Sequence, residues 1–284
     1  MKTHDNAVTY LFVPGDRPER FEKAVRSGAD VVIVDLEDAV APSAKPAARR
    51  ALADAWASLA ALAHETGVTL CLRINGLREA ASREDLVLCQ ALQPALVMVP
   101  KVESAAELAE FHAVVPSARV LALVESAGGV LDASAIAKAP NVARLVLGTV
   151  DLMLNLGVGN DREPLDWARS MLLLASVSAG IAGPVDGVCT TIHDLDRVQC
   201  DARRARDFGF TAKLCIHPKQ IGAVDAAFNV TDDELAWAGR VVAASDASEG
   251  AATTVDGVMI DAPVLLRAQR VIARHAGQQR RAAT

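Results

Sequence analysis

Two carboxylates at the ends of apolar runs carry the clearest chemical signal in this chain. Glu125 closes the run VLALVES at 120–126, and Asp151 closes RLVLGTVD at 144–151. Desolvating an unpaired carboxylate is costly, so each acid sits at an open strand end or beside a cation. Two carboxylates with no His or Cys nearby suit Mg2+, or Mn2+, rather than zinc, with water and substrate oxygens completing the shell. The structural uses stand beside this one. Glu125 would serve as a salt-bridge partner for Arg73 or Lys101, and Asp151 as the cap of a following helical turn.

Arg73 is the next residue of interest, because a guanidinium inside an apolar strand is costly unless it meets an anion. A substrate carboxylate or a thioester oxyanion would serve, and the planar fork of Arg suits the first. Asp35, Glu37 and Asp38 in the run DLED are too many acids for one metal, and some are expected to orient Arg73 or Lys101. His217, just before Pro218, is read either as a cap of the following helix or as a hydrogen-bonding group for a ligand.

These residues need strands to carry them. Short apolar runs at 9–14, 31–35, 70–74, 96–100, 120–124, 144–148, 185–190 and 212–216 read as strands. Amphipathic stretches at 18–27, 45–66, 83–92, 105–114, 130–138, 164–182, 194–208 and 218–226 read as the helices between them. Apolar strands separated by helices imply parallel pairing with both faces covered, and eight such units close a (β/α)8 TIM barrel of the α/β class. An open doubly wound sheet would want a Gly-rich fingerprint after the first strand, and FVPGDRPERF is not one. The active site of a barrel lies at the carboxyl ends of its strands. Nearly all of these runs finish on polar or ionisable residues: Asp16-Arg17, Asp35-Leu36-Glu37-Asp38, Arg73, Lys101, Glu125, Asp151, Thr190-Thr191 and His217.

The catalytic barrel is placed at 1–230 and a C-terminal helical extension at 231–284. That extension has a helix at 231–244 begun by Thr231 and Glu234, a small polar stretch, VDGVMIDAP, and a last helix at 263–275. A lid or an oligomer contact are its expected uses.

Composition narrows the class further. Of 284 residues, 51% are hydrophobic, enough for a large core and against wholesale disorder. The net charge of −6 argues against nucleic acid as the main partner. No window approaches the roughly 20 apolar residues of a membrane span. The start MKTHDNAVTY lacks the apolar region of a secretory signal. Five cysteines without a CxxC read as buried thiols of a reducing cytoplasm.

The motifs then become specific. FVPGDRPERFEKA, GADVVIVDLEDAV, RING, VPKVES, LVESAGGVL, GTVDL, DGVCTTIHDLD, GFTAKLCIHPKQI and MIDAPVLLRAQ occur in that order over residues 9–270. In this the chain resembles the citrate lyase β-subunit family, whose relatives include malyl-CoA and citramalyl-CoA lyases and malate synthases. The resemblance implies a Mg2+-dependent, commonly trimeric barrel that makes or breaks a carbon–carbon bond next to a CoA thioester. It places Glu125 and Asp151 at the metal-ligand positions and Arg73 where substrate oxygens are contacted. It places Phe12, Arg17 and Lys23 near the CoA region. Asp261 matches an acid that relatives send from the C-terminal segment into a neighbouring subunit's site. Two positions depart from the pattern: Val150, where many relatives have an acid, and Asn155, which replaces a frequent Asp.

The expected activity is therefore cleavage or formation of a carboxylated β-hydroxyacyl-CoA (malyl-, citramalyl- or citryl-CoA), giving acetyl-CoA and a 2-oxo acid. The alternatives are a class II aldolase on free 2-oxo acids, a lyase-complex subunit working on a carrier-bound acyl group, and a non-catalytic CoA-binding protein. The last is disfavoured because Glu125, Asp151, Arg73 and Asp261 are all present.

Overall fold

In the computed structural model, which describes residues 6–248 and 250–282, eight parallel strands close a barrel in sequence order. They are β1 (Thr9–Pro14), β2 (Val31–Asp35), β3 (Thr69–Arg73), β4 (Leu96–Val99), β5 (Arg119–Val124), β6 (Val142–Leu147), β7 (Val185–Asp186) and β8 (Ala212–Cys215). Pairing of Tyr10 with Leu214 is part of the β1–β8 seam that completes the ring. Helices follow the strands, as a (β/α)8 barrel requires. Runs such as VVIVD are buried along their whole length because both faces of a parallel sheet are covered.

Strand parity separates two apolar clusters. Tyr10, Ile33, Met98, Leu123, Val146 and Leu214 belong to the smaller cluster, which fills the barrel. Residues between them, such as Leu11, Val34, Leu72 and Val97, join the larger cluster, where strands meet helices. Followed to the carboxyl ends, the inward parity reaches Phe12, Asp35, Arg73 and Glu125. At the opposite end, the fully buried Arg144 plugs the barrel floor. Its Nε donates to Gly183 O (2.7 Å), and Nη1 donates to Ala7 O (2.8 Å) and to the Tyr10 hydroxyl (3.0 Å).

Three readings need correction. The run 185–190 is a strand only over Val185–Asp186. A Cβ on Gly187 would stand 2.4 Å from Thr149 Oγ1, and the carbonyls of Cys189 and Thr191 accept from Gln220 Nε2 (each 2.9 Å) instead of from a strand. The helix expected at 130–138 is two short ones, Ala127–Leu131 and Ala133–Ala137, with the break at Asp132. The run 144–151 does not stay extended to Asp151. Beyond Gly148 the chain enters the helix Thr149–Leu156, and Asp151 lies in its first turn, where the helix dipole favours an acid.

The chain divides into two compact units at Phe228/Asn229. The second begins with the helix Asp232–Ala247, whose Thr231 and Glu234 form a reciprocal capping box. An antiparallel hairpin follows, Thr253–Val255 with Val258–Ile260. Its turn residues Asp256 and Gly257 take φ of 52° and 78°, as a tight two-residue hairpin turn requires. The last helix is Ala262–Ala282. Among the described residues, all five cysteines are free thiols and no helix is long and apolar enough to cross a membrane.

Candidate active site

The register of β2 and β3 sets Asp35 opposite Arg73, and both side chains have inward parity. Asp35 accepts from Arg73 Nε at 2.7 Å and Nη2 at 2.6 Å. The same carboxylate accepts the backbone N–H groups of Glu37 (2.9 Å) and Ala39 (3.1 Å), which curls the DLED loop over the strand end. Arg73 Nη1 lies 2.8 Å from Glu37 and 3.7 Å from Asp38, and the guanidinium stacks on Phe12 at 4.8 Å. Burial disfavours the charge of Arg73, but Asp35, Glu37 and Asp38 outweigh it and raise its pKa further.

Glu37 is 2% exposed and lies between two cations, with Arg73 on one side and Lys101 Nζ at 2.9 Å on the other. Its partners among the described residues are these two ion-pair contacts, with Arg73 Nη1 at 2.8 Å and Lys101 Nζ at 2.9 Å. Burial pushes its pKa up to about 7; Arg73 lowers it and Asp38 raises it. Lys101 Nζ also meets Glu79 at 2.8 Å, so it bridges the loops after β2 and β3.

Glu125, one residue beyond β5, is 5% exposed and makes no ion pair among the described residues. Its Oε1 accepts the backbone N–H of Lys101 at 2.8 Å. Its Oε2 lies over Gly148, where a Cβ would stand 2.5 Å away. Burial raises its pKa most, and the negative charges of Glu37 and Asp151 carry it to about 8. Asp151 itself makes no hydrogen bond or ion pair among the described residues, and Gly148, not Asp151, is the cap of its helix. The barrel mouth thus holds a fixed cation, Arg73, beside carboxylates that repel one another. Among the described residues no cluster of three or more His, Cys, Asp or Glu forms a metal cage.

A second group of residues lies where β1 and β8 meet. Lys23, Arg26, Glu19, Glu22, Ser27 and Pro218 line a surface groove. His217 Nδ1 accepts the N–H of Lys219 at 3.1 Å, a local cap at the start of the helix Gln220–Phe228. Burial lowers the pKa of His217, and so do the positive charges of Lys219, His193 and Lys23. Arg17 is an exposed neighbour, 3.9 Å from Asp16. In the second unit, Asp261 Oδ1 accepts the N–H of Val264 at 3.2 Å and caps the last helix.

Several supporting residues escape a reading of motifs. Asp85, fully buried, accepts Asn75 N (2.7 Å), Asn75 Nδ2 (2.6 Å) and Arg49 Nε (2.6 Å). Asn75 Nδ2 also donates to Leu36 O at 3.1 Å, so the network ties the ends of β2 and β3 together. Lys45 joins it through Asn75 Oδ1. Asp85 lies on a helix with no cue that it is buried. Glu79 and Gly148 matter only through partners far away in sequence. A charged residue on an otherwise buried helix face was the available cue for Arg49.

A closed parallel barrel with an arginine and a set of buried acids at its carboxyl end defines a class of enzyme-like barrels, and the sequence places the chain within it. Residues 9–218 match the HpcH/HpaI aldolase/citrate lyase family, and the chain belongs to that family. It is 41% identical over 277 residues to a citrate lyase subunit beta-like protein of Mycobacterium tuberculosis, covering 95% of each chain. It is 32% identical over 269 residues to a (3S)-malyl-CoA thioesterase of Cereibacter sphaeroides, covering 93% of each. Among solved structures, the CitE protein of M. tuberculosis in complex with magnesium, acetoacetate and coenzyme A superposes with a TM-score of 0.84 at 38% identity. That match covers 96% of this chain and 99% of the other.

Proposed function

We propose that this protein is a Mg2+-dependent carbon–carbon lyase acting on a carboxylated β-hydroxyacyl-CoA, with Glu125 and Asp151 as the metal ligands. One observation carries the reading: Glu125 is buried with no counter-charge of its own, beside Asp151, and its Oε2 rests in a cradle that a Cβ at residue 148 would fill. Such a carboxylate is costly unless a cation joins it. Two carboxylates with open positions for water and substrate suit Mg2+, and Mn2+ is the natural substitute. The solved relative with magnesium and coenzyme A supports the same choice. When bound, the ion supplies Lewis acidity and a template for the oxygens of the 2-oxo acid.

The chain's own groups do the rest. Arg73, held edge-on by Asp35, meets the oxyanion that develops as the carbon–carbon bond breaks. One such donor is worth about 3 kcal/mol. Asp35, Glu37 and Asp38 keep that guanidinium aimed, and Lys101 balances the charge of Glu37. Phe12 forms the apolar wall under Arg73. Arg17, Lys23 and His217 would receive the phosphates of CoA. As the bond breaks, the substrate hydroxyl gives up its proton to solvent and its oxygen becomes the keto oxygen of the 2-oxo acid. Asp261, carried by the second unit, would protonate the thioester enolate in the site of a neighbouring subunit of a homotrimer, giving acetyl-CoA, and remove that proton in the synthetic direction.

A second reading is thioester hydrolysis, favoured by the malyl-CoA thioesterase among the relatives. Product analysis separates the two. Malyl-, citramalyl- or citryl-CoA incubated with protein and Mg2+ gives acetyl-CoA plus a 2-oxo acid if the protein is a lyase. Free CoA plus the intact hydroxy acid identifies a thioesterase and removes the lyase reading.

A further inference from the structure

Among the described residues of the barrel mouth, Lys101 alone is held in the left-handed region, at φ 55°, without being glycine. Side chains avoid this region, and such strain persists only where surrounding contacts over-determine it. Here they do. The Lys101 N–H donates to Glu125 Oε1 at 2.8 Å, the next residue's N–H donates to Leu123 O at 3.2 Å, and Arg78 Nη2 reaches Lys101 O at 3.4 Å. Arg78 is itself held by Glu103 at 2.8 Å and Glu107 at 2.9 Å. The peptide after β4 is thus gripped from the neighbouring loops and turned so that its amide faces Glu125.

We infer that the left-handed backbone of residue 101, not its ammonium group, is a positioning device that selects which oxygen of Glu125 faces the ion. The inference rests on Glu125 being a metal ligand. With Oε1 occupied by the amide, the carboxylate cannot rotate without losing that bond, and Oε2 remains the free oxygen over Gly148. The ammonium has a separate task. It points away to Glu37 and Glu79, whose charges it balances across two loops. The lysine therefore carries two independent roles on its backbone and its side chain.

The two roles come apart by substitution. Lys101→Gly keeps the left-handed conformation and the amide but removes the ammonium. Lys101→Val keeps a backbone amide, but its β-branched side chain opposes positive φ. Mg2+ affinity measured by calorimetry is expected to stay within about threefold of the parent in Lys101→Gly and to weaken by about tenfold or more in Lys101→Val. Equal weakening in both variants would assign the effect to the ammonium. Parent-like affinity in Lys101→Val would show that the conformation is dispensable. Either result overturns the inference. Hydrogen exchange at the amide of residue 101 tests the contact without metal. It is expected to be slow in the parent and in Lys101→Gly, and fast in Glu125→Ala; fast exchange in the parent also overturns the inference. A parent that binds no Mg2+ removes the metal reading alone, and the exchange measurement then decides the Glu125 contact by itself.

Discussion

Asp35 and Arg73 face each other across the β2–β3 register, and the carboxylate takes one edge of the guanidinium, with Nε at 2.7 Å and Nη2 at 2.6 Å. A lysine cannot reproduce that fork. Arg73→Lys is expected to fold and to lose about 10²–10³-fold in kcat/KM, since one oxyanion donor is misplaced. Arg73→Ala leaves Asp35 buried without its cation and is expected to lose about 3–5 kcal/mol in urea melts. Parent-like turnover in Arg73→Lys would remove the arginine from the chemistry.

Acidity gives a second test. The carboxyl groups of Glu125 and Glu37 are raised to about 8 and about 7 from an ordinary 4.5. A carboxyl raised on folding binds its proton more tightly in the native state. It therefore stabilises the fold at low pH, and that contribution is lost as pH rises through its folded value. The metal-free Tm should fall between pH 5 and 8.5, and less steeply in Glu125→Gln. Binding of a cation competes with the Glu125 proton, so Mg2+ affinity should strengthen by up to about tenfold per pH unit below pH 8. An affinity independent of pH over this range would contradict the assignment of Glu125.

Gly148 permits the third. A methyl at this position would stand 2.5 Å from both Cβ and Oε2 of Glu125. Gly148→Ala should displace the carboxylate, weakening Mg2+ binding by about tenfold or more and destabilising the metal-free protein by about 1–3 kcal/mol. Unchanged calorimetry would mean that the cradle is unimportant.

Asp261 is the fourth. If it carries the proton to and from the enolate carbon, Asp261→Asn should bind Mg2+ and CoA normally yet lose turnover by about 10²-fold or more. Exchange of the acetyl-CoA methyl protons in deuterated buffer should stop with it. Full exchange in the variant would assign the proton to another group.

Much of this arrangement was legible in the chain. The barrel could be read because strands buried on both faces are apolar without interruption, as in VVIV at 31–34 and VLALV at 120–124. Arg73 and Glu125 stood out because an ion at an inward position of such a strand is costly unless it meets a partner, whether a salt bridge, a metal or a substrate. The failures have physical causes too. The run at 185–190 has the composition of a strand, but Gly187 is forced against Thr149 by tertiary contact, which no local pattern encodes. Asp151 looked like a strand end because its neighbours are apolar, whereas helix and strand are not distinguishable over so short a run. The Asp256–Gly257 pair was a hairpin cue of the strongest kind, but its short strands are too brief to show alternation. Lys101's contact with Glu125 uses a backbone atom, and a sequence lists only side chains.

Whether a metal held by Glu125 and Asp151 drives carbon–carbon cleavage is tested most directly by one rate measurement. Acetyl-CoA release from malyl-, citramalyl- and citryl-CoA is followed with Mg2+, with EDTA, and with Mg2+ restored, in the parent, Glu125→Gln and Asp151→Asn. The expected result is release from at least one thioester that EDTA abolishes, that Mg2+ restores, and that both variants lack. Cleavage that persists in EDTA or in either folded variant would contradict the claim, as would silence of the metal-loaded parent on all three thioesters.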